Sequence, residues 1–207
     1  MHNQGGAASA RTSLSLVLIL LSGSAFLLPL ADRARAQGPT PIKFPLGARE
    51  LRLGDSGTDV KTLNWALRGA FLGTPYHGSF TSETEFAVRA LQGESGLQAN
   101  GVVARPTLKV IAARMPRERA SWYGPRLYGR RTACGRKLTK RTIGVAHRTL
   151  PCGTRVVLAH RGRWVRAKVI DRGPFRTRYR WDATSALAKR LEIRKRGKAK
   201  LKVGVVP

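Results

Sequence analysis

The residues able to do chemistry gather in four short segments: Ser121-Trp122-Tyr123-Gly124, Thr132-Ala133-Cys134-Gly135, Ala146 to Thr154, and Asp171-Arg172-Gly173-Pro174-Phe175. Beyond position 116 the chain has just four acidic residues, Glu118, Asp171, Asp182 and Glu192, so proton transfer by a carboxyl group has few candidates. Glu118 falls in an expected linker, and Glu192 at the end of an expected helix, Asp182 to Leu191, for which Asp182 reads as the N-cap. Asp171 is left as the acid or base.

Cys134 and Cys152 are the two cysteines of the chain. Their chemistry depends on compartment, and residues 1 to 36 read as an export leader. Arg11 supplies the basic start, Leu14 to Leu30 an apolar run interrupted by Ser22, Gly23, Ser24 and Pro29, and Ala34-Arg35-Ala36 a small-x-small cleavage motif. An uncleaved anchor is the alternative, although about 17 residues carrying a Pro and a Gly are marginal for spanning a bilayer. After cleavage no stable membrane span is expected, and the protein is secreted to the periplasm or cell wall. An even cysteine pair in an exported chain has one intramolecular connectivity, so a Cys134–Cys152 disulfide is expected, with two free thiols or half of a metal site as alternatives. Only three His follow the leader, too few for a convincing zinc set, and neither a metal nor another cofactor is expected.

Charge separates the elements that must position these segments. The 207 residues hold 39 Lys and Arg against 11 Asp and Glu, a formal net charge of +28. Residues 1 to 116 carry 12 basic and 7 acidic side chains, net +5, whereas residues 117 to 207 carry 27 and 4, net +23. Such an excess excludes an ordinary near-neutral enzyme surface and implies polyanionic surroundings. Export argues against nucleic acid and leaves anionic lipid or an acidic wall polymer. A hydrophobic share of 42% with four Trp is enough for packed cores and excludes wholesale disorder.

Residues 37 to 48 read as an extended linker, 49 to 114 as a helical domain, 115 to 119 as a second linker and 120 to 207 as a β domain. Val60, Leu63 and Leu67 recur at helical spacing after Gly54-Asp55-Ser56-Gly57. Ser82 and Glu85 offer a capping box ahead of Ala87, Val88 and Leu91, and Pro106 suits the first turn of a helix carrying Leu108 and Ile111. From Val156 the period changes to two: Val156 to Leu158, a turn at His160 to Gly162, then Val165, Ala167 and Val169. A last strand alternates through Leu201, Val203 and Val205. Closing these strands into a barrel would protect their edges.

The helical stretch resembles the three-helix peptidoglycan-binding domain, on Leu53-Gly54, Ser56-Gly57, Val60, Leu63, Ala87-Val88, Leu91-Gln92, Gly96-Leu97, Gly101-Val102-Val103 and Thr107. Asp-Arg-Gly-Pro-Phe at 171 to 175, with His-x-Thr-Leu-Pro-x-Gly-Thr at 147 to 154, resembles the double-psi β-barrel of the rare lipoprotein A-like septal lytic transglycosylases, related in fold to expansins. The implied fold is α+β: a three-helix domain, then an all-β six-stranded double-psi barrel with one short helix. The resemblance implies a lytic transglycosylase with Asp171 as acid and base and His147 orienting it; Trp122, Tyr123, Arg136 and Arg172 are the expected substrate contacts. Where catalytic relatives carry a Glu, this chain has Arg136, which near Asp171 would hold that carboxyl ionised. The alternative expectation is a non-catalytic, expansin-like wall binder in which Trp122, Tyr123 and Trp164 stack on glycan. In either case the expected partners are peptidoglycan strands and anionic wall polymers rather than nucleic acid, and the protein is expected to be a monomer.

Overall fold

The computed structural model describes residues 45–175 and 178–207; the expected leader and most of the linker after it lie outside the described residues. Apolar residues at helical spacing produce α1 (Thr58–Gly69), α2 (Ser82–Glu94) and α3 (Arg105–Arg114). Val60, Leu63 and Leu67, Val88 and Leu91, and Leu108 and Ile111 bring one apolar stripe from each helix into a single cluster. The expected capping box is not formed. Thr81 is the N-cap of α2, and the Glu85 carboxylate instead accepts from Arg89 one turn further on, at 3.0 Å. Two buried amides fasten the loops: Asn64 donates to the carbonyls of His77 and Ser79 (3.0 and 3.1 Å), and Gln92 donates to Val102 and accepts from Gly101 (both 2.9 Å).

Six strands follow: β1 (Arg117–Tyr123), β2 (Val145–Ala146), β3 (Arg155–His160), β4 (Arg163–Asp171), β5 (Trp181–Thr184) and β6 (Lys198–Val206). They close into a barrel in the order β1-β5-β2-β4-β3-β6, with β6 pairing back to β1. The β1–β5 and β2–β4 pairs are parallel and the others antiparallel. Closure leaves no long edge exposed. Arg161 and Gly162, at φ 49° and 79°, make the tight turn from β3 to β4 that the alternation predicts.

Two boundaries differ from the sequence reading. β1 begins at Arg117, so three residues of the expected 115–119 linker are strand, held by β6 through Arg117↔Lys202 to Arg119↔Lys200. The expected helix from Asp182 is shorter: α4 spans Ser185–Arg190, and its N-cap is Thr184, whose hydroxyl accepts from the Leu187 N–H. Asp182 is a strand residue, registered against Ser121 of β1 and Ala146 of β2. Pairing on both sides holds the backbone extended through residue 184 and overrides the local capping preference.

The barrel interior is filled by Val156, Leu158, Val165, Val169, Trp181, Ala183, Leu201 and Val203, with Leu187 and Leu191 closing one side. β3 is buried on both faces. Its alternate residues Val157 and Ala159 point outward, and with Trp164 and Val206 they join the apolar cluster of the helices. The helical and β regions therefore share a core. Trp164 is 9% exposed within it, which removes it from the expected stacking surfaces. At the tightest point α1 meets β6 backbone to backbone: a Cβ added at Gly69 would sit 2.9 Å from the Gly204 Cα. Among the described residues no helix is long and apolar enough to cross a membrane.

Candidate active site

One end of the barrel opens into a groove of about 560 Å³ lined by Ser121, Trp122 and Tyr123 of β1, Asp182 of β5, Asp171 at the end of β4, and the loop from Arg172 to Phe175. The parallel pairing of β1 with β5, and of β2 with β4, brings these strand ends together.

Asp171 is held from two directions. Its Oδ1 accepts the backbone N–H groups of Ala133 and Arg172, both at 2.9 Å, and its carbonyl accepts from the His147 N–H at 3.2 Å. Ala133 precedes Cys134, whose disulfide to Cys152 has formed as expected and joins the 129–138 loop to the 147–154 loop. The bridge thus ties down the loop that supplies one of the two donors to the carboxylate.

Asp182, expected as a cap, faces the same groove. Its Oδ1 is buried without a hydrogen bond, and burial raises its pKa to about 6; the Ser121 hydroxyl opposes that rise and the nearby Asp171 charge adds to it. Tyr123 completes the group. Its buried hydroxyl lies beside Asp171 without a hydrogen bond of normal length, and burial, followed by the Asp171 charge, pushes its pKa upward, so it stays a neutral phenol. The site therefore pairs a carboxyl group fixed by backbone donors with a second one that retains its proton into the mildly acidic range.

His147 sits behind the groove, 5% exposed. Its Nδ1 accepts from the Thr149 and Leu150 N–H groups (3.2 and 3.1 Å), which places the ring proton of the neutral form on Nε2. Burial first, then the Arg180 charge, lowers its pKa. The ring packs on Trp181 at 4.5 Å, and the Trp181 indole donates to Glu118, which also pairs with Arg180 at 3.1 Å. Among the described residues the imidazole makes no hydrogen bond to either aspartate, so its link to Asp171 runs through the backbone. Glu118, set aside as a linker residue, belongs to this supporting layer.

The other expected contacts divide. Trp122 and Tyr123 line the groove. Arg172 lines it too, but its guanidinium donates to the Leu150 carbonyl at 3.0 Å and latches the 147–154 loop. Phe175, 84% exposed at the rim, is an aromatic face that the sequence reading did not count as a contact. Arg136 does not line the groove with Asp171; its side chain borders a second groove on the barrel flank. The cation that would have held Asp171 ionised is therefore absent from the groove lining. Among the described residues no group of three or more His, Cys, Asp or Glu could hold a metal ion.

Comparison with known proteins places both regions. Residues 117–203 match the lytic transglycolase family, whose domain is the double-psi β-barrel, and residues 56–111 match the putative peptidoglycan binding domain. The chain thus joins a helical region similar to the second to a barrel similar to the first. Over 89 residues it is 38% identical to the probable endolytic peptidoglycan transglycosylase RlpA of Synechocystis sp., covering 42% of this chain and 28% of that protein. Over 90 residues it is 40% identical to the protein of the same description from Aquifex aeolicus, covering 42% of this chain and 37% of the relative. The endolytic peptidoglycan transglycosylase RlpA of Neisseria meningitidis is 37% identical over 86 residues, 41% and 36% of the two chains. The chain thus spans about a third of the length of these relatives.

Proposed function

We propose that this protein is an exported wall enzyme that cleaves peptidoglycan glycan strands without water, leaving 1,6-anhydro-muramic ends. The observation that carries the reading is the pair Asp171 and Asp182, two carboxyl groups in opposite environments within one groove. In the first step Asp182 gives its proton to the glycosidic oxygen as the bond from muramic C1 to that oxygen breaks. In the second, Asp171 accepts the proton of the muramic 6-hydroxyl as that oxygen bonds to C1, closing the anhydro ring. No water is consumed, and the proton left on Asp171 passes back to Asp182 before the next turnover, restoring both groups. This division assigns proton donation to Asp182 and leaves Asp171, the residue the motif points to, as the base.

Around the pair, Trp122 and Phe175 present ring faces to the sugars, and the neutral Tyr123 hydroxyl stands beside the carboxylates as a donor for the oxygen that develops charge. His147 is a positioning residue that fixes the 147–154 loop. The helical domain holds the wall, and the basic barrel face favours its anionic polymers.

The test is incubation of purified peptidoglycan with the mature protein near pH 5.5, followed by mass spectrometry for anhydro-muramic ends. Such ends should appear with wild type and disappear with Asp171→Asn and Asp182→Asn. Unaltered glycan that is still pulled down by the wild-type protein would overturn the enzymatic reading and leave a wall-binding protein.

A further inference from the structure

We propose that the second groove, on the flank of the barrel where it meets the helices, binds an extended polyanion carrying repeated phosphate or carboxylate groups. The inference goes beyond the proposed cleavage reaction, because the two grooves share no lining residue. At about 1310 Å³ it is the larger of the two.

Eight of the residues that line it are Lys or Arg and none is Asp or Glu. Arg136, Lys140 and Arg141 come from the segment before β2, and Lys168, Lys189 and Arg190 from β4 and α4. Of the eight, Arg163 is neutralised through Glu192. Isolated cations on outward strand positions are solvated and need no partner, but here they converge on a concave surface, where their fields add.

Arg166 marks the floor. Its Nε donates to the Thr62 hydroxyl at 3.1 Å, its guanidinium lies 5.5 Å from the centre of the Trp65 ring, and it makes no ion pair among the described residues. Burial lowers its pKa, so holding the charge there has a cost that no carboxylate among the described residues offsets. An oxyanion in the groove would supply the missing partner, and the planar guanidinium suits bidentate contact with phosphate or carboxylate alike. Arg136, the residue that departs from the catalytic relatives, acquires a role here as part of this wall.

The experiment measures binding of the mature protein to long-chain inorganic polyphosphate and, separately, to polyglutamate across a salt series. Lys140→Glu/Lys189→Glu in the groove is compared with Lys198→Glu/Lys200→Glu on β6, which changes the charge by the same amount elsewhere. The groove variant should weaken binding at least about tenfold and reduce the salt slope by about 1.5, as expected for two lost oxyanion contacts. The β6 variant should change affinity less than about threefold, in keeping with diffuse, screened attraction. Arg166→Gln, checked for folding by its melting curve, should lose most of the gain in melting temperature that polyanion gives wild type. The probe bound more tightly identifies the oxyanion. Failure of both probes to bind, or equal weakening by the two double variants, would overturn the site, and neither result depends on whether glycan is cleaved.

Discussion

Asp182 and Asp171 lie in one groove, yet their oxygens meet different surroundings. Two backbone N–H groups meet Asp171, whereas one Asp182 oxygen is buried without a donor and the pKa of that side chain rises to about 6. The rise has a stability consequence with a definite sign. Between the unfolded carboxyl pKa near 4 and about 6, the native state holds a proton that the unfolded chain has released, so folding weakens as pH increases across that window. The penalty is absent below about pH 4 and complete above about pH 6. Asp182→Asn should therefore stabilise the protein by about 1–3 kcal/mol at pH 7.5 and by much less at pH 4, measured by denaturant unfolding at the two pH values. If the gain were equal at both, ionisation of Asp182 would not be its source.

At the scale of elements, the loops carry as much of the site as the strands do. Ala133 reaches Asp171 from a loop tied by Cys134–Cys152 across a separation of 18 residues. Replacing both cysteines by serine should cost about 3 kcal/mol of stability in the chain-entropy account, read from the shift in denaturant midpoint. Anhydro-end formation should fall with it even well below the new melting temperature, since one donor to the carboxylate is loosened. The β3–β4 hairpin is legible in the sequence because alternation and turn are local signals, although His160, read as part of the turn, is the last residue of β3 and pairs with Arg163. Asp182 was not: Trp-Asp-Ala-Thr-Ser offers three side chains that cap helices well, and nothing local reveals that Ser121 and Ala146 lie opposite Asp182 and keep it in a strand. Glu118 was hidden for a related reason, since Pro116 and its charged neighbours read as a connector until pairing with β6 makes them a strand. Asp171 and the disulfide, which are marked by a motif and by simple counting, needed no such long-range information.

For the whole molecule, charge and packing act on different faces. Of the formal net charge of +28, +23 lies beyond residue 116, and attraction between its exposed cations and an anionic wall is screened over about 10 Å at 0.1 M salt. Wall pull-down should therefore weaken steeply with ionic strength; indifference to salt would show that the basic surface is not what binds. Packing couples the two regions at a place where charge plays no part. A methyl at Gly204 would stand 2.7 Å from the Gly69 Cα, so Gly204→Ala should destabilise by about 1–3 kcal/mol. A single unfolding transition, shifted as a whole, should be seen by both tryptophan fluorescence and far-ultraviolet circular dichroism.

Val157, Ala159, Trp164 and Val206 make the outside of this barrel apolar where α1 covers it. A barrel of the same fold that stands apart from any helical neighbour has to be wettable on that side. The two halves of this chain are consequently a matched pair: grafting a free-standing relative's barrel onto these helices would set polar side chains against Leu67 and Trp65, while transplanting this barrel alone would put a greasy flank into water. Exchange of parts within such a lineage would have to carry the seam along with the fold.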